Sequence, residues 1–142
     1  MNKVNIFLNY DGKALEAFNF YSEIFNTPIQ GICRVQDSPY KDRFPQEQQE
    51  AVLWIELVIG SISLYGEDLQ FFNRFDGFGA PERTKYPTTF ISLAVDSKEE
   101  AYRLFDALKE GGKVALPLQT AFFSDCYGRV IDRYGIGWEF ML

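Results

Sequence analysis

Histidine is absent from all 142 residues. That removes the side chain most often used for proton transfer near neutral pH, and the commonest metal ligand. Cysteine is scarce: Cys33 and Cys126 stand far apart with no CxxC spacing. They are expected to be free thiols in a reducing compartment, and no histidine is available to activate either as a nucleophile. Basic residues are outnumbered, 14 Lys and Arg against 20 Asp and Glu, for a net charge of −6. With no basic run to offset it, this charge argues against nucleic acid or an acidic membrane surface as a partner. No apolar run approaches the ~20 residues of a membrane span. The opening "MNKVNIFLNYDG" carries an apolar stretch too short for a signal peptide. A cytoplasmic protein is the expectation.

Aromatic residues, by contrast, are abundant, with 14 Phe and 8 Tyr in a chain that is 46% hydrophobic. So many rings need a large core, a ring-lined pocket or a partner surface. "NIFLNY" (5–10) alternates like a strand and ends at "DG". In the following segment Ala14, Ala17, Phe18, Tyr21, Ile24 and Phe25 keep helical spacing. Asp11 suits the N-cap, and Asn26 before Thr27-Pro28 suits the stop. "IQGICRV" (29–35) is a second strand. Residues 36–50 are polar, hold two prolines and form a long loop of the kind used as a lid. "AVLWIELVIGSISLYGED" then gives two strands about a turn at Gly60-Ser61.

Residues 68–87 are expected to be an ordered connection, after which the pattern restarts. "TTFISLAVDS" is a strand, and a helix follows with a capping box of Ser97 and Glu100. Its apolar stripe is Ala101, Leu104, Phe105 and Leu108, and Gly111-Gly112 close it. "KVALPLQ", "AFFSDCY", "GRVIDRY" and "GWEFML" are four further extended pieces. Ala17, Phe18 and Tyr21 match Ala101, Tyr102 and Phe105 at one offset, whereas the Asp before each helix needs one extra residue in the first half. The chain is therefore an internal repeat of type β-α-β-β-β. The expected fold is α+β: one domain of two modules (about 1–67 and 88–142), with paired sheets forming a cup and helices outside. A pair of ferredoxin-like βαββ units is the rival, but it would need a second helix in each half. The proline-bearing 36–50 loop is a poor one.

The repeat, with "FLNYDGKALEAFNFYSEIF", "GSISLYGED" and "YGRVIDRYGIGWEF", resembles the vicinal oxygen chelate superfamily of glyoxalase I, bleomycin-resistance proteins and extradiol dioxygenases. Within it the chain is most similar to the PhnB-like branch, and the likeness spans nearly the whole chain. The resemblance implies a cup-shaped small-molecule site and a homodimer. It also implies metal-ligand places near Asn5, Glu67, Thr89 or Phe90, and Glu139, where only the two acids are typical ligands. Some members of the branch are labelled demethylubiquinone methyltransferases. No glycine-rich strand-loop-helix that could hold a methyl donor is found here, so no cofactor is expected.

Strand parity selects the faces. Ile6, Leu8 and Tyr10 suit the helix side of the first strand, leaving Asn5, Phe7 and Asn9 opposite. Trp54, Glu56, Ser63, Tyr65 and Glu67 fall on the same side, as do Phe90, Ser92, Ala94, Glu139 and Met141 in the second half. The pocket candidates are Asn5, Phe7, Trp54, Glu56, Tyr65, Glu67, Phe90 and Glu139. A strand glutamate is most often simply solvated, and that alternative stays open for each acid. Arg129 or Arg133 could neutralise an acid, although surface placement is the default. Two functions remain. One is a binder that holds a small molecule between aromatic walls without a transition metal. The other is an enzyme of the same superfamily using Glu67 and Glu139 as acid-base groups or metal ligands.

Overall fold

The computed structural model describes residues 4–68 and 87–142. The chain divides into two compact units, Met1–Glu82 and Arg83–Leu142, and all but the two end residues of the expected 68–87 connection lie outside the described residues. In the first unit the order is β1 (Ile6–Tyr10), α1 (Ala14–Phe25), β2 (Ile29–Arg34), β3 (Val52–Ile59) and β4 (Ile62–Asp68). The second unit repeats it with β5 (Phe90–Ala94), α2 (Lys98–Lys109), β6 (Lys113–Ala121), β7 (Ser124–Ile131) and β8 (Gly137–Met141). The sheets are four-stranded, ordered β1-β4-β3-β2 and β5-β8-β7-β6, and each begins with a parallel pair. Two β-α-β-β-β modules are thus present, and the ferredoxin-like alternative is excluded. No helix among the described residues is long and apolar enough to cross a membrane.

Each module buries one sheet face under its helix. In the first, Ala17, Phe18 and Tyr21 of α1 meet Tyr10, Ile55, Leu57 and Leu64, all 2% exposed or less. The rings interlock edge to face: Tyr10–Phe18 at 6.2 Å and Phe18–Tyr21 at 5.9 Å. Such contacts add about 0.5–1.5 kcal/mol each beyond area burial. Gly66 of β4 has no Cβ because the Phe18 ring occupies that space. In the second module Ala101, Leu104, Phe105 and Leu108 cover Val130, Trp138 and Phe140, with Phe105 and Phe140 at 5.5 Å. Tyr102 matches Phe18 in the repeat yet is 51% exposed, so the two helices pack with different faces at that position.

Three sequence expectations change. The N-cap residue of α1 is Lys13, not Asp11, and it makes no side-chain cap. The acceptor comes instead from the far end of β4. Asp68 Oδ1 accepts from Ala14 N at 3.0 Å, and its Oδ2 accepts from Val52 N at 2.9 Å. A carboxylate at a helix N-terminus is also favoured by the helix dipole. Next, the four extended pieces near the end condense into three strands. "AFFSDCY" is extended but is not one strand: Ala121 ends β6, Phe122-Phe123 make a tight hairpin turn, and the remainder opens β7, which runs on through Ile131. Finally, the 36–50 loop is built on three short 3-10 turns, Val35–Asp37, Lys41–Arg43 and Gln46–Gln48. Phe44 anchors them against Val35, and the Gln49 amide donates to the carbonyls of Lys41 and Phe44. Asn26 ends α1 in the left-handed conformation (φ 49°) as expected. Ser97 Oγ caps α2 by accepting from Glu100 N, but the Glu100 carboxylate takes Asp96 N–H rather than that of Ser97.

Candidate functional site

The strand faces turned away from the helices carry the candidate side chains. In the first module Gly66 lies under Phe18 of α1, so its neighbours Tyr65 and Glu67 project the other way. Register then builds rows across the sheet. Phe7 stands beside Tyr65, Tyr65 beside Glu56, and Glu56 beside Gly31. Phe7 and Tyr65 stack at 5.9 Å with 15° between planes. The next row has Asn9 beside Glu67 and Trp54 beside Cys33. Continuing the β3–β4 register by one step sets Trp54 opposite Glu67. The Trp54 indole leans the other way, across Gly31, where an added Cβ would stand 2.7 Å from its Cη2. Phe7 and Trp54 remain exposed, at 50% and 39%. Asn5 precedes β1 and is exposed.

The three acids here differ sharply. Glu56 accepts a hydrogen bond from the Tyr65 hydroxyl, the first reason the Tyr65 pKa is raised, with burial second. Asp68 is consumed by the two backbone donors. Glu67 is only 8% exposed. Burial, with the Asp68 charge added, pushes its carboxyl up to about 7.

In the second module one carboxylate gathers the polar groups. Ser92 of β5 and Arg129 of β7 both stand in register with Glu139 of β8. Ser92 Oγ donates to Glu139 Oε1 at 3.1 Å. Tyr127 OH donates to Oε2 at 2.7 Å, and Arg129 reaches Oε2 through Nε at 2.8 Å and Nη2 at 2.6 Å. Burial pushes the Glu139 pKa up, but the hydrogen bonds of Tyr127, Arg129 and Ser92, with the Arg129 charge, outweigh it. The carboxyl is held below its ordinary range. The Arg129 guanidinium also lies 4.8 Å from the Phe90 ring centre, a cation–π contact. Phe90 in turn covers Gly137, where a Cβ would meet its Cδ1 at 2.8 Å.

Parity thus placed the first-module candidates on one face and Phe90 with Glu139 on another, each on its own sheet. Sequence reasoning missed Tyr127 altogether and placed Arg129 at the surface by default. Arg129 is the counter-charge of Glu139, whereas Arg133 is exposed and donates to the Glu110 carbonyl at 3.0 Å. The signal was available: Tyr127, Arg129 and Ile131 alternate in phase with Glu139 once "CYGRVI" is taken as one strand. The strand position beside Glu139 is Ser92, not Thr89 or Phe90. Matching the two registers makes Tyr65 the first-module counterpart of Glu139, with Phe7 for Ser92, Glu56 for Arg129 and Met141 for Glu67. Glu67 and Glu139 are therefore not repeat-related.

Those positions do not fit a resident transition metal. Glu139 already accepts from a guanidinium, a phenol and a hydroxyl, and its register neighbours include Arg129, whose charge opposes a cation. Among the described residues no three of Cys, Asp and Glu come together as a metal-holding group. A nucleoside-type methyl donor fits no better: the strand-to-helix connections are Asp11-Gly12-Lys13 and Val95-Asp96-Ser97, and neither is a glycine-rich cradle.

Two β-α-β-β-β modules, each with a parallel first pair, form the fold class of glyoxalase/bleomycin-resistance/dioxygenase domains. A domain of that class from Frankia sp. EAN1pec has a TM-score of 0.64 at 18% identity, covering 100% of this chain and 97% of its own. More specifically, a family model described as 3-demethylubiquinone-9 3-methyltransferase matches residues 2–141, and the chain belongs to that PhnB-like family. A PhnB protein from Bacillus cereus has a TM-score of 0.77 at 25% identity, covering 99% of both chains. Protein YjdN of Escherichia coli (strain K12) is 36% identical over 50 residues. The match spans only about a third of that curated relative, 34% of its length.

Proposed function

We propose that this protein binds a small organic molecule on the strand faces opposite its helices, without a resident transition metal. The observation that carries this reading is the state of Glu139. It is a charged, partly buried carboxylate oriented by Arg129, Tyr127 and Ser92 beside the Phe90 ring. A few fixed polar groups against aromatic walls suit recognition of a small ligand. A lowered pKa makes Glu139 a weak base, so its role is to orient and to accept hydrogen bonds. A thermal-shift screen with metabolites and divalent metals, run beside elemental analysis of the purified protein, tests the reading. Stabilisation by an organic compound with no bound metal supports it. About one metal per chain, lost on Glu139→Gln, refutes it.

An acid–base enzyme of the same fold is the second reading, and Glu67 favours it, because a carboxyl near 7 can both give and take a proton at working pH. Turnover of a screened ligand, abolished by Glu67→Gln, would select that reading. We also propose that the protein pairs as a homodimer, since each sheet leaves two edge strands. Light scattering that finds only a 16.4 kDa species at micromolar concentration excludes this.

A further inference from the structure

A carboxyl largely withdrawn from water with no partner is costly, and Glu67 is such a group. It is 8% exposed and makes no hydrogen bond or ion pair among the described residues. Among the described residues the acids prevail on this face: its one cation, Arg34, stands in register with Val52, in phase with Trp54, and lies 3.7 Å from Glu50. Glu56 adds a second carboxylate one row away, and β1 contributes only the uncharged Phe7 and Asn9. Trp54 is opposite Glu67 on β3 with its indole tilted toward β2, and the Phe7–Tyr65 stack lies one row along. An anion would meet two acids here. A neutral ligand would meet only the protonated acid and would leave the carboxylate form uncompensated. A cation satisfies the carboxylate and the negative faces of the rings together, and cation–π attraction strengthens as water is excluded.

We infer that the first-module face, with Glu67 as counter-charge and Trp54 and the Phe7–Tyr65 pair as walls, is a site for an organic cation of the amine or quaternary ammonium class. The inference rests on the small-molecule reading above and names its ligand class. Binding to the carboxylate form draws the proton off Glu67. Among the described residues the other charged or titratable groups nearby are Asp68, fixed by two backbone N–H groups, Glu56 with Tyr65, the Cys33 thiol, and Arg34, which lies 3.7 Å from Glu50.

Three probes of similar size separate the possibilities: benzyltrimethylammonium, benzenesulfonate and benzyl alcohol. The first carries a permanent charge, so any proton exchanged on binding belongs to the protein. Trp54 reports binding by fluorescence, because the other tryptophan, Trp138, is fully buried. The expected result is saturable quenching by the cation alone, weakened at least tenfold in Glu67→Gln. Calorimetry at pH 7 should give a binding heat that changes with the buffer's ionisation heat, reflecting release of about half a proton. That buffer dependence should vanish in the variant. Should Glu67→Gln fail to fold, Trp54→Ala, altering an exposed side chain, should still weaken the cation several-fold by calorimetry. If benzenesulfonate or benzyl alcohol binds as tightly as the cation, or Glu67→Gln binds it unchanged, the cation assignment is wrong while small-molecule binding stands. If none of the three probes binds by fluorescence or calorimetry, both are wrong for this face.

Discussion

Replacing Glu67 by glutamine should stabilise the protein at alkaline pH and do almost nothing at acid pH. The carboxyl titrates at about 7 in the folded chain against 4.5 for an unperturbed glutamate. The folded state therefore holds the proton more tightly than the unfolded one. The stability gained from that proton is complete below about 4.5 and is lost as pH rises through about 7. Each pKa unit is worth about 1.4 kcal/mol, so the full separation would amount to about 3 kcal/mol. Water reaching the remaining exposed edge of the carboxyl lowers this to about 1–2 kcal/mol. Glutamine has the shape of the protonated acid and never ionises. The variant should thus melt about 3–6 °C above the wild type at pH 8, and within about 1 °C of it at pH 4.5. Melting curves of both proteins at these two pH values isolate Glu67, because every other titration is common to both. An equal difference at the two pH values, or a variant less stable at pH 8, would refute the claim that Glu67 is buried without a partner.

Glu139→Gln should behave in the opposite sense. Its folded pKa is depressed, so the wild-type advantage is present above the ordinary carboxylate pKa and is lost as pH falls through the depressed value. Denaturant melts should show a cost of about 1 kcal/mol at pH 7 that disappears in strong acid. The same change should lower the Tyr127 phenol pKa, which the Glu139 hydrogen bond raises most, in an ultraviolet titration. Asp132→Ala removes the acceptor of Trp138 Nε1 at 2.8 Å and of the Tyr134 and Ile136 amides. It should cost about 3 kcal/mol and about 10 °C in melting temperature. Two glycine-to-alanine changes should separate the faces. Gly31→Ala meets only the swinging end of Trp54, so it should shift tryptophan emission while changing stability by less than about 1 kcal/mol. Gly66→Ala meets the packed Phe18 ring and should cost about 2–3 kcal/mol.

Some of this protein was decided within single segments of sequence. Helical spacing fixed α1 and α2, Asn26 fixed a stop, and strand alternation fixed which face each of Phe7, Trp54, Glu56, Tyr65, Glu67 and Glu139 would take. Those are local matters, set by the 3.6-residue turn and the two-residue pleat. The doubling of the pattern carried the fold class, because one such module leaves a sheet face to be covered. Partners across strands were another matter. Alternation says that Glu139 and Arg129 share a face, but register says that they touch, and register depends on turn lengths and on the bulges along β2 and β6. The cap of α1 arrives from Asp68, 54 residues further on, where no local rule looks. Glu67 and Glu139 are both strand glutamates in sequence. Only tertiary packing left one buried and titrating near neutrality and gave the other an arginine, a tyrosine and a serine, since burial and neighbouring charge are properties of the assembled sheet.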